Sequence, residues 1–296
     1  MNFQGIIPAL VTPYDGDGVV NLEMVRTLSD RLVQEDIGGL FICGGTGEWW
    51  LLNVDERKGI SAAAIEGAAG RKPVMVHVCG ISTRASVELA QHAESAGADA
   101  VSTLPPIGFP YTADRVWDYF KTIGASTGLP LYLYHVPQLY GDVISMDRFA
   151  AAIAEIPTLA GVKFSSYRID DLIDLKLKAE GRLNIISGCS EQLLSAVACG
   201  ADGSICTWYN FIPRLGKKIF DCVQNNDVAG ARAHEDILVA FGKICIPKHL
   251  GYVKWLLARQ GFDVGGPRPP LPDTTAAERE DVLPKIEATG VFDWCI

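Results

Sequence analysis

Eight short, continuously apolar runs recur along this chain, each separated from the next by enough residues for one helix. That alternation restricts the fold more than any single residue does. The runs are residues 5–11, 39–43, 74–78, 100–104, 131–134, 161–164, 184–187 and 203–206. They are apolar throughout and do not alternate with polar residues, as expected for parallel strands covered on both faces. Between them lie amphipathic stretches that predict helices over 22–34, 55–69, 83–96, 113–126, 146–156, 169–179 and 190–199, with an eighth starting near Pro213. In 22–34 the apolar residues Leu22, Val25, Leu28 and Leu32 fall on one helical face. Gly70, Gly97 and Gly128 stand where C-terminal caps belong.

Eight strand–helix units over about 220 residues predict an α/β fold, a (β/α)8 barrel. The competing doubly wound sheet lacks its GxGxxG fingerprint after the first strand. Residues 1–225 are read as the barrel and 226–296 as a helical extension packed on it, with helices over 228–245, 247–260 and 274–288. The proline-rich run Gly265-Gly266-Pro267-Arg268-Pro269-Pro270-Leu271-Pro272 reads as a rigid extended connector.

At 296 residues, 48% hydrophobic and 21% charged, the chain has the composition of a soluble globular protein. A net charge of -9 with no basic tract argues against nucleic acid and anionic membranes as partners. No membrane helix and no signal peptide are expected. The eight cysteines form no CxxC pair and sit mostly in apolar runs, so free thiols in a reducing cytoplasm are expected, with no zinc.

In a barrel of this kind, chemistry lies where strands meet their following loops. Strand 6 ends with Lys163 inside the apolar run Gly161-Val162-Lys163-Phe164. A lysine buried there is costly unless neutral or paired, and a neutral amine is a nucleophile towards ketones. After strand 2, Gly44-Gly45-Thr46-Gly47-Glu48 can turn sharply and offer amides and the Thr46 hydroxyl to a carboxylate. Glu48 reads as a structural hydrogen-bonder. Strand 5 ends in Tyr134-His135-Val136-Pro137, with Tyr134 suited to proton transfer and His135 on the opposite face as a structural residue. Strands 7 and 8 end in Ser187-Gly188-Cys189-Ser190-Glu191 and Cys206-Thr207-Trp208-Tyr209, hydroxyls and a carboxylate suited to a polyhydroxylated substrate.

Taken in order, Gly-Thr-Gly-Glu, Tyr-x-x-Pro and Gly-Val-Lys resemble the family of dihydrodipicolinate synthase and N-acetylneuraminate lyase, lysine-dependent (class I) aldolases, over essentially the whole chain. The resemblance implies that Lys163 forms a Schiff base with the ketone of a 2-keto acid, that Tyr134 transfers protons, and that Gly45 and Thr46 bind the carboxylate. No metal or diffusible cofactor is implied. The lyase branch is the more similar. Leu139 stands where the synthases carry an arginine, and the loop Pro105-Pro106-Ile107-Gly108-Phe109 lacks their second tyrosine. By the same resemblance Ser165, Gly188, Ser190, Glu191 and Thr207 would hold a sugar-acid tail.

Two departures stand out. Gly45 replaces a usual hydroxyl residue and Ser190 a usual aspartate. Trp49-Trp50 either narrows the pocket or packs the next helix. The expected activity is cleavage of a 2-keto-3-deoxy sugar acid, N-acetylneuraminate-like, to pyruvate and an aldehyde. The alternatives are dehydration of such an acid or another pyruvate-dependent aldol reaction on the same imine chemistry. Dihydrodipicolinate synthesis and a non-catalytic ligand-binding barrel are less favoured. The family resemblance implies a homotetramer, for which Tyr111, Trp117 and Tyr140 are candidate interface aromatics.

Overall fold

The computed structural model describes residues 3–141 and 144–296. Its strands are β1 (Gly5–Pro8), β2 (Leu40–Ile42), β3 (Val74–His77), β4 (Ala100–Thr103), β5 (Leu131–His135), β6 (Leu159–Phe164), β7 (Asn184–Ser187) and β8 (Gly203–Cys206). All pair in parallel in the order β1-β8-β7-β6-β5-β4-β3-β2. A parallel bridge from Ala9 to Phe41 joins the two ends, so the sheet closes into a (β/α)8 barrel.

The helices are α1 (Leu22–Leu32), α2 (Val54–Ala68), α3 (Thr83–Ala96), α4 (Ala113–Ala125), the short α5 (Pro137–Tyr140), α6 (Met146–Glu155), α7 (Ile169–Ala179), α8 (Leu193–Ala198), α9 (Pro213–Gln224), α10 (Val228–Cys245), α11 (His249–Ala258) and α12 (Ala276–Glu287). Local chemistry fixes several starts. Asn53 and Glu56 form a reciprocal capping box on α2, as Thr275 and Glu278 do on α12. Gly97 ends α3 in the left-handed conformation, as expected. Gly128 does not cap α4, which ends at Ala125 with Ser126 as its cap; the Gly128 N–H donates instead to Glu94. The predicted helix over 190–199 divides into a 3-10 turn, Ser190–Gln192, and α8. Leu22 is exposed, so the buried face of α1 is Val25, Leu28, Ser29 and Leu32.

The barrel interior is packed, with Phe3, Ile7, Phe41, Met75, Tyr132, Ile186 and Ile205 in one cluster. Burying a side chain of this class contributes roughly 1.5–3 kcal/mol. Tyr132 on β5 reaches over β6 and donates to Asn184 Oδ1 on β7 at 2.8 Å. Gly161 makes the space, since a Cβ there would lie 2.4 Å from the Tyr132 ring. Outside the strands, a larger cluster joins them to the helices.

Helices α10, α11 and α12 follow the eighth barrel helix, α9; α10 packs on α9, and α11 and α12 pack on α10. All eight cysteines are free thiols. Trp117 is not an exposed aromatic: it is 2% exposed and packs against Phe120 and Phe149, because α4 turns that face onto the barrel. Tyr111 is exposed, and the side chain of Tyr140 lies outside the described residues. Among the described residues no helix is long and apolar enough to cross a membrane.

Candidate active site

Register places the site. Tyr134 on β5 pairs with Lys163 on β6, and both fall two residues beyond inward-facing positions, Tyr132 and Gly161. Lys163 is 4% exposed. Its Nζ lies 4.0 Å from the centre of the Phe41 ring and 3.9 Å from that of Tyr134. The other deeply buried lysine, Lys254, meets a carboxylate at 2.7 Å. Among the described residues no carboxylate comes within ion-pair distance of Lys163, so its amine rests on two aromatic faces.

A cavity of about 550 Å³ opens above this amine at the C-terminal ends of the strands. Gly45, Thr46, Tyr134, Lys163, Gly188, Ser190, Glu191 and Thr207 all line it. Ser165 is the expected residue that does not. Its hydroxyl is buried against the Gly188 backbone, where a Cβ on residue 188 would fall 1.7 Å from Ser165 Oγ.

The turn after β2 is tightly shaped. Cys43 and Glu48 adopt left-handed backbone at φ 55 and 58, a conformation that costs non-glycine residues roughly 1–2 kcal/mol. Gly44 is required because a Cβ would meet the Phe41 ring at 2.2 Å. Gly45 differs: a Cβ there would meet nothing within 4 Å. Thr46 Oγ1 and Thr207 Oγ1 are 2.6 Å apart, joining the β2 and β8 loops in the cavity wall. Glu48 is fully buried and outside the cavity, held by Lys254 and by the Arg268 N–H at 2.7 Å. That is the structural role expected of it. His135 is likewise buried on the outer face, against Phe149 and Phe164.

Trp49 packs, buried, against His77 and Arg57, and Trp50 is partly exposed. Both edge an apolar recess of about 320 Å³ with Leu104, Ile107 and Leu139; it adjoins the main cavity, sharing Gly45 and Tyr134 with it, but neither tryptophan lines the main cavity itself.

The far side of the cavity comes from residues the sequence did not single out. Tyr167 donates to Glu191 Oε1 at 2.6 Å, and Ser190 to the other oxygen at 3.3 Å. The hydrogen bond to that carboxylate, then burial, hold the Tyr167 phenol well above its usual pKa. Leu238, Val239 and Lys243 of α10 and His249 of α11 close the wall. No residue pattern announces this, because α10 reads as an ordinary amphipathic helix.

His77 was also not singled out. It is fully buried, 5.9 Å from the Tyr134 ring and 5.5 Å from Trp49. Burial, with Arg57 and Lys163 adding to it, pushes its pKa well below the usual histidine range. Burial likewise raises the Cys189 and Cys206 thiols to about 12 and about 11, so neither is a ready thiolate nucleophile. Among the described residues no group of three or more His, Cys, Asp or Glu side chains is placed to hold a metal ion.

Comparison with known proteins agrees with this fold. The model of the dihydrodipicolinate synthetase family matches residues 2–289. The chain is 30% identical over 288 residues to an N-acetylneuraminate lyase of Mediterraneibacter gnavus, covering 95% of this chain and 90% of that protein. It is 34% identical over 231 residues to N-acetylneuraminate lyase 2 of Escherichia coli, covering 78% and 75%. The solved structure of Proteus mirabilis N-acetylneuraminate lyase superposes with a TM-score of 0.93 at 28% identity, covering 98% of this chain and 100% of that one. With a barrel closed in the same way along nearly its whole length, this chain belongs to the dihydrodipicolinate synthetase family.

Proposed function

We propose that the protein is a lysine-dependent aldolase that cleaves a 2-keto-3-deoxy sugar acid, of the N-acetylneuraminate type, to pyruvate and an aldehyde. The observation that carries this reading is the buried Lys163 amine, without a carboxylate partner among the described residues, in a cavity lined by the Gly45-Thr46 turn, by Thr207 bonded to it, and by Ser190 and Glu191. The relatives named as N-acetylneuraminate lyases support the substrate class.

The steps follow from the residues. The Lys163 amine adds to the C2 ketone and water leaves, forming an imine. Protonated, the imine draws electrons from the C3–C4 bond. The Tyr134 phenol, over whose ring the amine lies, relays the proton taken from the C4 hydroxyl. C3–C4 breaks, the aldehyde departs, and the resulting enamine takes a proton at C3. Water then hydrolyses the imine to release pyruvate and restore the amine. The amides of the Gly45-Thr46 turn and the Thr46 hydroxyl hold the carboxylate throughout. Glu191, fixed by Tyr167 and Ser190, accepts hydrogen bonds from the sugar hydroxyls. This chemistry calls for no metal or diffusible cofactor, so exhaustive dialysis against a chelator should leave turnover intact. Self-association into a tetramer belongs to the same reading, supported by exposed Phe109 on the loop after β4 and Leu139 on α5, and sedimentation velocity tests it.

The decisive experiment is mass spectrometry after incubation with pyruvate and borohydride, followed by product analysis on a panel of 2-keto-3-deoxy sugar acids that includes N-acetylneuraminate. A reduced adduct on Lys163, absent in Lys163→Ala, and pyruvate release are expected. Trapping that persists in Lys163→Ala moves the nucleophile elsewhere. Water loss from the sugar acid without pyruvate release makes the protein a dehydratase on the same imine.

A further inference from the structure

The carboxylate-binding turn is held from behind by a part of the chain remote from it in sequence. Lys254, on α11, is 1% exposed and does not line the cavity. Its Nζ meets Glu48 Oε1 at 2.7 Å and donates to Thr12 O at 2.8 Å and Gly266 O at 3.0 Å. The same three segments are bound to one another: Thr12 Oγ1 donates to Gly47 O at 2.7 Å, and the Arg268 N–H donates to Glu48 Oε2 at 2.7 Å. One ammonium therefore ties the loop after β1, the turn after β2 and the proline-rich connector together. The turn it ties ends in the left-handed Glu48, a conformation that persists only where surroundings impose it. Two residues before Glu48 is Thr46, whose hydroxyl reaches Thr207.

We propose that Lys254 is a positioning residue for recognition of the substrate carboxylate, setting the Gly45-Thr46 turn through Glu48 and Thr12 without touching the substrate. The proposal rests on the imine reading of Lys163. It assigns a role in 2-keto acid selectivity to the C-terminal extension. With Lys254 in place, the amides and the Thr46 hydroxyl converge on one point. Without it, the turn relaxes while the Lys163 amine, held by β6, stays where it is.

The test is borohydride trapping on Lys163, titrated with pyruvate and separately with acetone, a ketone lacking the carboxylate. In Lys254→Met the pyruvate concentration giving half-maximal trapping should rise about tenfold or more, the size of a lost charge-assisted hydrogen bond. The acetone value should stay within about twofold, and the plateau should be unchanged. In Lys254→Met/Glu48→Gln, which leaves no unpaired buried charge, thermal stability should recover while the pyruvate value stays high. A role confined to stability would restore both. Should Lys254→Met fail to fold, Thr12→Val removes the bond to Gly47 and leaves the ion pair intact, and the same selective rise is expected. Equal shifts for both ketones, or none, in the folded variants overturn the proposal. Failure of the wild-type protein to trap pyruvate on Lys163 overturns the aldolase reading first; wild-type trapping with unselective variants overturns only the positioning role.

Discussion

Replacing Lys254 by methionine isolates the energetics of the buried ion pair. Lys254 and Glu48 are 1% and 0% exposed, so neither charge has water to fall back on. Methionine fills most of the volume and leaves the carboxylate uncompensated, at a cost of roughly 3–5 kcal/mol. The carbonyls of Thr12 and Gly266 lose a donor each, adding roughly 0.5 kcal/mol apiece at the low end of hydrogen-bond values. The total is about 4–6 kcal/mol. At about 2 °C per kcal/mol for a chain of this length, the melting temperature should fall by about 8–12 °C. The assay is thermal unfolding followed by circular dichroism, run on Lys254→Met, Glu48→Gln and the double variant. Because the double variant leaves no orphan charge, it should lie within about 2 kcal/mol of wild type, well above Lys254→Met. A double variant as unstable as Lys254→Met would show that shape, and not charge, dominates the site, and would refute the reasoning.

Four further outcomes are expected. Tyr134→Phe keeps the ring 3.9 Å from Lys163 Nζ and removes the phenol, so trapping at Lys163 should persist while pyruvate release slows about 10²–10⁴-fold; unchanged turnover would remove Tyr134 from the proton path. Gly45→Ser places a side chain where nothing lies within 4 Å, so stability should change by less than about 0.5 kcal/mol and pyruvate should be trapped at lower concentration; weaker trapping would contradict the open space. Gly188→Ala drives a Cβ to 1.7 Å from Ser165 Oγ and should destabilise by about 1–3 kcal/mol, with Ser165→Gly relieving it; a neutral Gly188→Ala in thermal unfolding would contradict the packing.

The fourth concerns pH. Burial holds His77 neutral well below its unfolded value of 6.5, so below that pH the unfolded chain binds a proton the native barrel cannot. Stability should fall on acidification by up to about 1.4 kcal/mol per pH unit from this group. His77→Phe should flatten the urea-unfolding profile between about pH 6.5 and 5, and an unchanged slope would show that His77 does not carry the effect.

Much of the site was legible in the sequence because the fold is periodic. Once the apolar runs are strands of a barrel, the residues just past them converge, and Lys163, Tyr134, Thr46, Glu191 and Thr207 all line the cavity there; the strand-end rule brings them together, and the family resemblance supplies the roles expected of them. Ser165 escaped the rule because Gly188 leaves it room to turn its hydroxyl inward against the backbone. Trp117 is not the interface aromatic expected of it, because helical periodicity does not say which face of α4 meets its neighbours. Gly128 was misread as a cap because the α4 cap, Ser126, comes two residues earlier and Glu94, on another helix, takes the Gly128 N–H.

The sequence by itself determined the barrel and the residues at its strand ends, since both follow from local periodicity: apolar runs make strands, and a closed parallel sheet gathers their C-terminal ends. Only the tertiary structure decided what stands around them. Contacts such as Lys254 with Glu48, Arg268 with the turn, Tyr167 with Glu191, and α10 as the far wall join residues up to 220 positions apart. Such pairings are set by how helices and loops pack on the finished barrel, and no local pattern in the chain encodes that distance.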